Sequence, residues 1–234
     1  MTTLVLLHGW GATSQVWHQQ AAYFQDRAEV LAPTIPVWDA AWLSDYLGAL
    51  PLASCVLVGW SLGGMLLVEA LSGHRPAVPG GLVLAGVAPV FTRRPDYPLG
   101  QPPAVVRAMR RGLKDNLRQV LAEFASQCLA PGEITYDNQA LAAFASPPEV
   151  ETLATGLDYL LTSDLRPLLP GLPQGAFIIQ GQEDRIVSPD QAEFLREQLS
   201  GARLYNLPGA GHLPFLTQVP EFNRIIAECL STVN

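Results

Sequence analysis

Gly59-Trp60-Ser61-Leu62-Gly63 sets a serine between glycines two residues before and two after it, and Gly64 follows. That spacing suits a serine on a tight strand-to-helix turn, where neighbouring backbone passes too close for a Cβ. Cys55-Val56-Leu57-Val58 leads in as a strand, and Met65-Leu66-Leu67-Val68 leads out as an apolar helix. A serine hydroxyl becomes nucleophilic when a histidine takes its proton and an acid orients that histidine. Both partners follow in the expected chain order, each just past a strand. Gly181-Gln182-Glu183-Asp184 comes after Phe177-Ile178-Ile179-Gln180, and Gly209-Ala210-Gly211-His212 after Arg203-Leu204-Tyr205-Asn206. Ser61 is thus the expected nucleophile, His212 the general base and Asp184 the acid, with Glu183 the alternative acid. The blander reading has Asp184 capping the helix near Pro189 and His212 closing a loop. An oxyanion needs two fixed N–H donors, one after the nucleophile and one from the loop after the first strand. Leu62 and Trp10 stand there, acting through their backbone amides. His8 reads as a structural hydrogen-bonder of that loop. His18 and His74 lie in or after helical segments on polar faces and rank lower.

These residues need a scaffold that gathers strand ends. Short apolar runs at Leu4–Leu7, Val30–Ala32, Ser54–Val58, Gly81–Ala85, Ala176–Gln180 and Arg203–Asn206 alternate with helical patterns near 14–24, 40–49, 62–72, 189–199 and 220–231. Such alternation implies an α/β fold, with a mainly parallel sheet of about six strands and helices on both faces. Residues 92–163 break it. A passage rich in proline (Pro95, Pro98, Pro102, Pro103) precedes helical sequence over about 104–128 and again near 149–163. We expect a core of 1–91 and 164–234 and a helical lid of 92–163, placed over the site.

Composition narrows the function classes. The 234 residues are 49% hydrophobic and 15% charged, enough for one large core and too apolar for a disordered chain. The net charge of −7 argues against general nucleic-acid binding. Met1-Thr2-Thr3 carries no basic run and no stretch approaches a membrane span, so a cytoplasmic protein off the membrane is expected. Cys55, Cys128 and Cys229 lack metal-type spacing and read as reduced thiols, with no metal site.

Charge is uneven. Arg93, Arg94, Arg107, Arg110, Arg111, Lys114 and Arg118 are seven of the chain's 14 basic residues, and only Asp96 and Asp115 oppose them, giving +5 in this segment and −12 elsewhere. At helical spacing, positions 107, 110, 111, 114 and 118 form one stripe, opposite Val106, Met109, Leu113, Leu117, Val120 and Phe124. Gly112 and Asp115-Asn116 could divide this into two helices. The stripe reads either as a solvated face or as a steering surface for an acidic partner.

The chain resembles the α/β-hydrolases and, more narrowly, the pimeloyl-[acyl-carrier protein] methyl ester esterases of biotin synthesis. The resemblance lies in Leu6-Leu7-His8-Gly9-Trp10-Gly11 with Val16-Trp17, in Gly59-Trp60-Ser61-Leu62-Gly63-Gly64, and in Phe91-Thr92-Arg93-Arg94. It continues through Thr162-Ser163-Asp164-Leu165-Arg166, Gly181…Asp184…Val187 and Gly211-His212-Leu213-Pro214-Phe215. Two features depart from it. The family usually begins with an antiparallel hairpin, whereas Leu4 opens the motif strand directly. The usual D-x-P-G-x-G-x-S loop is replaced by Ala32-Pro33-Thr34-Ile35-Pro36-Val37-Trp38-Asp39, which often borders the pocket. The resemblance implies a monomeric serine esterase that needs no cofactor and removes the methyl group from pimeloyl methyl ester on acyl-carrier protein. Trp10 and Trp60 would line the acyl pocket, Phe124 would point in from the lid or serve as plain core, and the basic stripe would dock the acidic carrier. The alternatives are a small-molecule carboxylesterase, lactonase or thioesterase of the same fold, or a ligand-binding homologue without catalysis.

Overall fold

A computed structural model describes residues 2–73, 78–133 and 148–233. Six parallel strands form one sheet: β1 (Thr3–Leu7), β2 (Glu29–Leu31), β3 (Cys55–Trp60), β4 (Gly81–Ala85), β5 (Phe177–Gly181) and β6 (Arg203–Leu207), ordered β2-β1-β3-β4-β5-β6. β1, β3 and β5 are buried along their whole length, as strands covered on both faces must be, and their side chains are accordingly apolar almost throughout. The outer strands β2 and β6 are less buried and expose Glu29, Arg203 and Asn206. The strands sit within one or two residues of the sequence reading, with β3 running on to Trp60.

On one face α1 (His18–Phe24) packs against the C-terminal helix α9 (Val219–Leu230). On the other lie α2 (Ala40–Gly48), α3 (Leu62–Gly73) and α7 (Pro189–Gln198). Pro189 and Pro220 sit in the first turns of α7 and α9, where a missing N–H costs nothing. α9 buries Phe222, Ile225, Ile226 and Cys229, an i, i+3, i+4, i+7 stripe.

Between β4 and β5 the chain forms α4 (Pro103–Asp115), α5 (Leu117–Gln127) and α6 (Val150–Thr162), with α4 packed on both others. The helical sequence read over 104–128 is two helices, because Asn116 leaves helical geometry at φ −143°, ψ 48°. α4 and α5 bury Val106, Leu113, Leu121 and Phe124. The ends of this insertion are tied together. Arg94 donates to the carbonyls of Thr162 (2.7 Å) and Ser163 (3.0 Å), and Arg166 bridges Asp164 (2.6 Å) and Asp96 (2.7 Å).

Candidate active site

Ser61 stands between the last residue of β3 and the first of α3. Its φ is +53°, the one positive value outside glycine among the described residues. A side chain in that region is strained by about 1–2 kcal/mol, and the neighbours are built around it. A Cβ on Gly59 would lie 2.4 Å from the Gly64 Cα, and one on Gly63 would lie 2.2 Å from the His8 carbonyl oxygen. The Ser61 N–H donates to the Ala85 carbonyl at 2.9 Å, pinning the turn to β4.

The loops after β5 and β6 bring the other two groups to the serine. His212 Nε2 is 2.9 Å from Ser61 Oγ, and His212 Nδ1 is 2.7 Å from Asp184 Oδ2; both side chains are buried. Asp184 Oδ1 accepts the Ile186 and Val187 amides at 2.8 and 2.9 Å, while Oδ2 also accepts from Gln180 Nε2 at 3.2 Å. An ionised carboxylate only accepts hydrogen bonds, so Nδ1 carries the imidazole proton and the Nε2 lone pair faces the serine hydroxyl. Glu183, the alternative acid, is exposed. Gln180 gave no signal in the sequence beyond being a polar residue at the end of an apolar strand.

His8 is also buried but makes a different set of contacts. Its Nε2 accepts the Ile35 amide at 2.9 Å, which leaves Nδ1 to donate to the Gly9 carbonyl at 2.9 Å. Burial lowers its pKa to about 4, so it is neutral near pH 7. It braces the loop that carries Trp10. Among the described residues, neither the Trp10 nor the Leu62 backbone N–H has a hydrogen-bond acceptor. The Trp10 side chain reaches the insertion: its indole N–H donates to the Leu153 carbonyl at 2.8 Å, and its ring meets Phe124 edge-on at 5.0 Å. Trp10, Phe91, Val106, Met109, Phe124 and Leu157 line a small apolar cavity.

Trp60 does not line that cavity. Its side chain is wholly buried, its indole N–H donates to the His212 carbonyl at 2.9 Å, and its ring packs on Phe215 at 4.9 Å. Its ring also lies 5.5 Å from the His212 imidazole, so Trp60 supports both the backbone and the ring of His212. The basic segment also divides. Arg110 makes a two-point pair with Asp158 (2.5 and 2.8 Å), and Arg94 bonds the end of α6 and Asp164, so each already holds a partner within the fold. Arg93, Arg107, Arg111, Lys114 and Arg118 are exposed and form no ion pair among the described residues. His18 lies away from the relay, bonded to the Gln15 carbonyl, and His74 falls outside the described residues. The three cysteines are buried free thiols. Among the described residues no cluster of His, Cys, Asp or Glu could hold a metal ion, and no helix is long and apolar enough to cross a membrane.

A parallel sheet with a strained serine at the end of β3, and an acid and a histidine after β5 and β6, defines a class, and the alpha/beta hydrolase family matches residues 4–225. The chain belongs to that family. Over nearly its whole length it is similar to proteins named pimeloyl-[acyl-carrier protein] methyl ester esterase. The one from Chromobacterium violaceum is 32% identical, covering 98% of this chain and 94% of the relative. That from Aromatoleum aromaticum is 31% identical, covering 96% of each. Among solved structures, an esterase from Exiguobacterium antarcticum superposes with a TM-score of 0.89 at 23% identity, covering 99% of this chain and 92% of that one. At that identity the likeness speaks for the fold.

Proposed function

We propose that this chain is a serine carboxylesterase that hydrolyses the methyl ester of pimeloyl-acyl-carrier protein, releasing methanol. The observation that carries the chemistry is the unbroken relay from Ser61 Oγ through His212 to Asp184; the named relatives support the substrate. Ser61 Oγ attacks the ester carbonyl carbon as its proton passes to His212 Nε2, with Asp184 holding the imidazolium. The oxyanion forms against the Trp10 and Leu62 amides, a stabilisation worth about 3–4 kcal/mol per donor in comparable enzymes. The carbon–methoxy bond then breaks, and Nε2–H protonates the departing oxygen to give methanol. Water attacks the acyl-enzyme carbonyl as its proton passes to Nε2, the carbon–Oγ bond breaks as Nε2–H returns that proton to Ser61 Oγ, and the carboxylic acid leaves and ionises in solution. No step calls for a metal or an organic cofactor.

Residues 92–163 form the lid in this reading, with the acyl chain in the cavity that Trp10 and Phe124 help to line. Arg93, Arg107, Arg111, Lys114 and Arg118 remain on the surface for an acidic carrier, which a positive patch would steer on a protein of net charge −7. Complementation decides the substrate. A biotin-requiring strain lacking its own esterase should grow on minimal medium when it expresses this chain, and not when it expresses Ser61→Ala. Failure to grow, with hydrolysis of small free esters intact, would leave a general carboxylesterase.

A further inference from the structure

The loop carrying His212 is Gly209-Ala210-Gly211, with Gly209 at φ +71°. Two glycines in three residues give it little stiffness of its own, yet the base must stay within hydrogen-bond reach of Ser61. The segment that follows α5 holds the loop. The Cys128 carbonyl accepts the His212 N–H at 2.7 Å. Glu133 Oε2 accepts the Gly211 N–H at 3.0 Å and the Ala130 N–H at 2.7 Å, and Oε1 accepts the hydroxyl of Thr217, in the short helix α8 (Pro214–Thr217) just beyond the histidine. The fit is close, since a Cβ on Gly211 would lie 2.5 Å from the Cys128 carbonyl oxygen and 2.9 Å from Glu133 Oε2. One carboxylate therefore grips the loop immediately before the base and the helix immediately after it.

We propose that Glu133 is a positioning residue for hydrolysis, one that fixes the backbone of His212 so that Nε2 stays aligned on Ser61 Oγ. The inference rests on the reading of His212 as the general base. Hydrogen bonds from amides to a carboxylate are among the stronger kind, and both successive amides, Gly211 and His212, are held by the 128–133 segment. All three groups on Glu133 are donors, so geometry and charge can be separated. A glutamine can accept both amides with its carbonyl oxygen and donate its NH₂ to the Thr217 oxygen, because the Thr217 hydroxyl has a second acceptor in the Leu213 carbonyl at 3.2 Å. An aspartate keeps the charge but is one methylene too short.

The test is steady-state hydrolysis of p-nitrophenyl acetate by the full-length Glu133→Gln, Glu133→Asp and Glu133→Ala variants, each assayed well below its melting temperature. Misplacing a catalytic group by about 1 Å can cost on the order of 100-fold. We expect kcat to fall roughly 10- to 100-fold in Glu133→Ala and Glu133→Asp with KM nearly unchanged, and to stay within about 3-fold of wild type in Glu133→Gln. If Glu133→Ala does not fold, the comparison of Gln with Asp decides alone. Wild-type kcat in Asp and Ala, with only the melting temperature lowered, would overturn the proposal and make Glu133 a purely structural residue. A loss in Gln as large as that in Ala would overturn it too, by assigning the effect to charge. His212→Ala run beside them separates the two failures, since activity surviving there removes the base itself, whatever Glu133 does.

Discussion

Asp184→Asn isolates what the acid contributes. The asparagine can sit in two ways, and hydrogen-bond accounting selects one. With its oxygen toward His212 and its NH₂ toward the loop, two buried N–H groups, those of Ile186 and Val187, face a donor and lose their acceptor. At about 1–3 kcal/mol for each stranded group, that orientation is costly. With the oxygen kept on those amides, the NH₂ meets His212 Nδ1 and Gln180 Nε2 instead. Only Gln180 is then opposed, because the imidazole can move its proton to Nε2 and accept at Nδ1. The fold survives, and the base is left holding a proton where it needs a lone pair. We expect kcat to fall by about 10⁴, or about 5 kcal/mol in the barrier, with KM for a small ester nearly unchanged. Stopped-flow hydrolysis of p-nitrophenyl acetate, with a melting curve on the same sample, measures both. A kcat within tenfold of wild type would refute the tautomer reasoning, and a larger loss in Glu183→Gln would move the acid to the exposed neighbour.

Ser61→Ala and His212→Ala should each lower kcat by about 10⁶ while leaving the melting temperature close to wild type, and near-normal turnover in Ser61→Ala would remove the covalent mechanism. Arg107→Glu with Arg111→Glu should raise KM for a carrier-bound ester at low salt, leave a small free ester unaffected, and converge on wild type as salt screens the surface; identical KM values at low salt would make the stripe a solvated face. His8 titrates near 4 when folded and near 6.5 when unfolded. The unfolded chain thus binds the extra proton between those values, and stability falls as pH drops from about 6.5 to 4, by at most about 3 kcal/mol. Urea titrations at pH 7 and 5 should show that loss, and an equally steep acid limb in His8→Gln would place its origin elsewhere.

The strands and the three catalytic candidates were legible because each announces itself locally, by an apolar run, a glycine pair or a loop after a strand. What sequence alone left hidden was which way side chains face and what they meet across the fold. Trp60 looked like a pocket residue because it adjoins Ser61, but its indole is buried against Phe215 and the His212 loop. The ion pairs of Arg94 and Arg110 were hidden because their partners are distant in the chain, at Asp164 and Asp158. Glu133 and Gln180 left no trace, since an isolated polar residue carries no periodicity and their roles, Glu133 accepting and Gln180 donating, exist only once the β5 and β6 loops converge. The break between α4 and α5 falls where the sequence offered it, at the poor helix formers Asp115 and Asn116.

Trp10 spans the boundary between sheet and insertion. Its indole N–H is held by the Leu153 carbonyl, and Gly156 leaves the room, since a Cβ there would lie 2.8 Å from Trp10 Cδ1 and 2.7 Å from Trp38 Nε1. The consequence concerns modularity. The helices described between β4 and β5 are not an interchangeable cassette, because α6 and Trp10 are fitted to each other. A grafted cap must present a carbonyl where Leu153 does and a glycine where Gly156 lies, or Trp10 loses both its anchor and its space. Compatibility between cap and sheet is thus written at two positions of one helix.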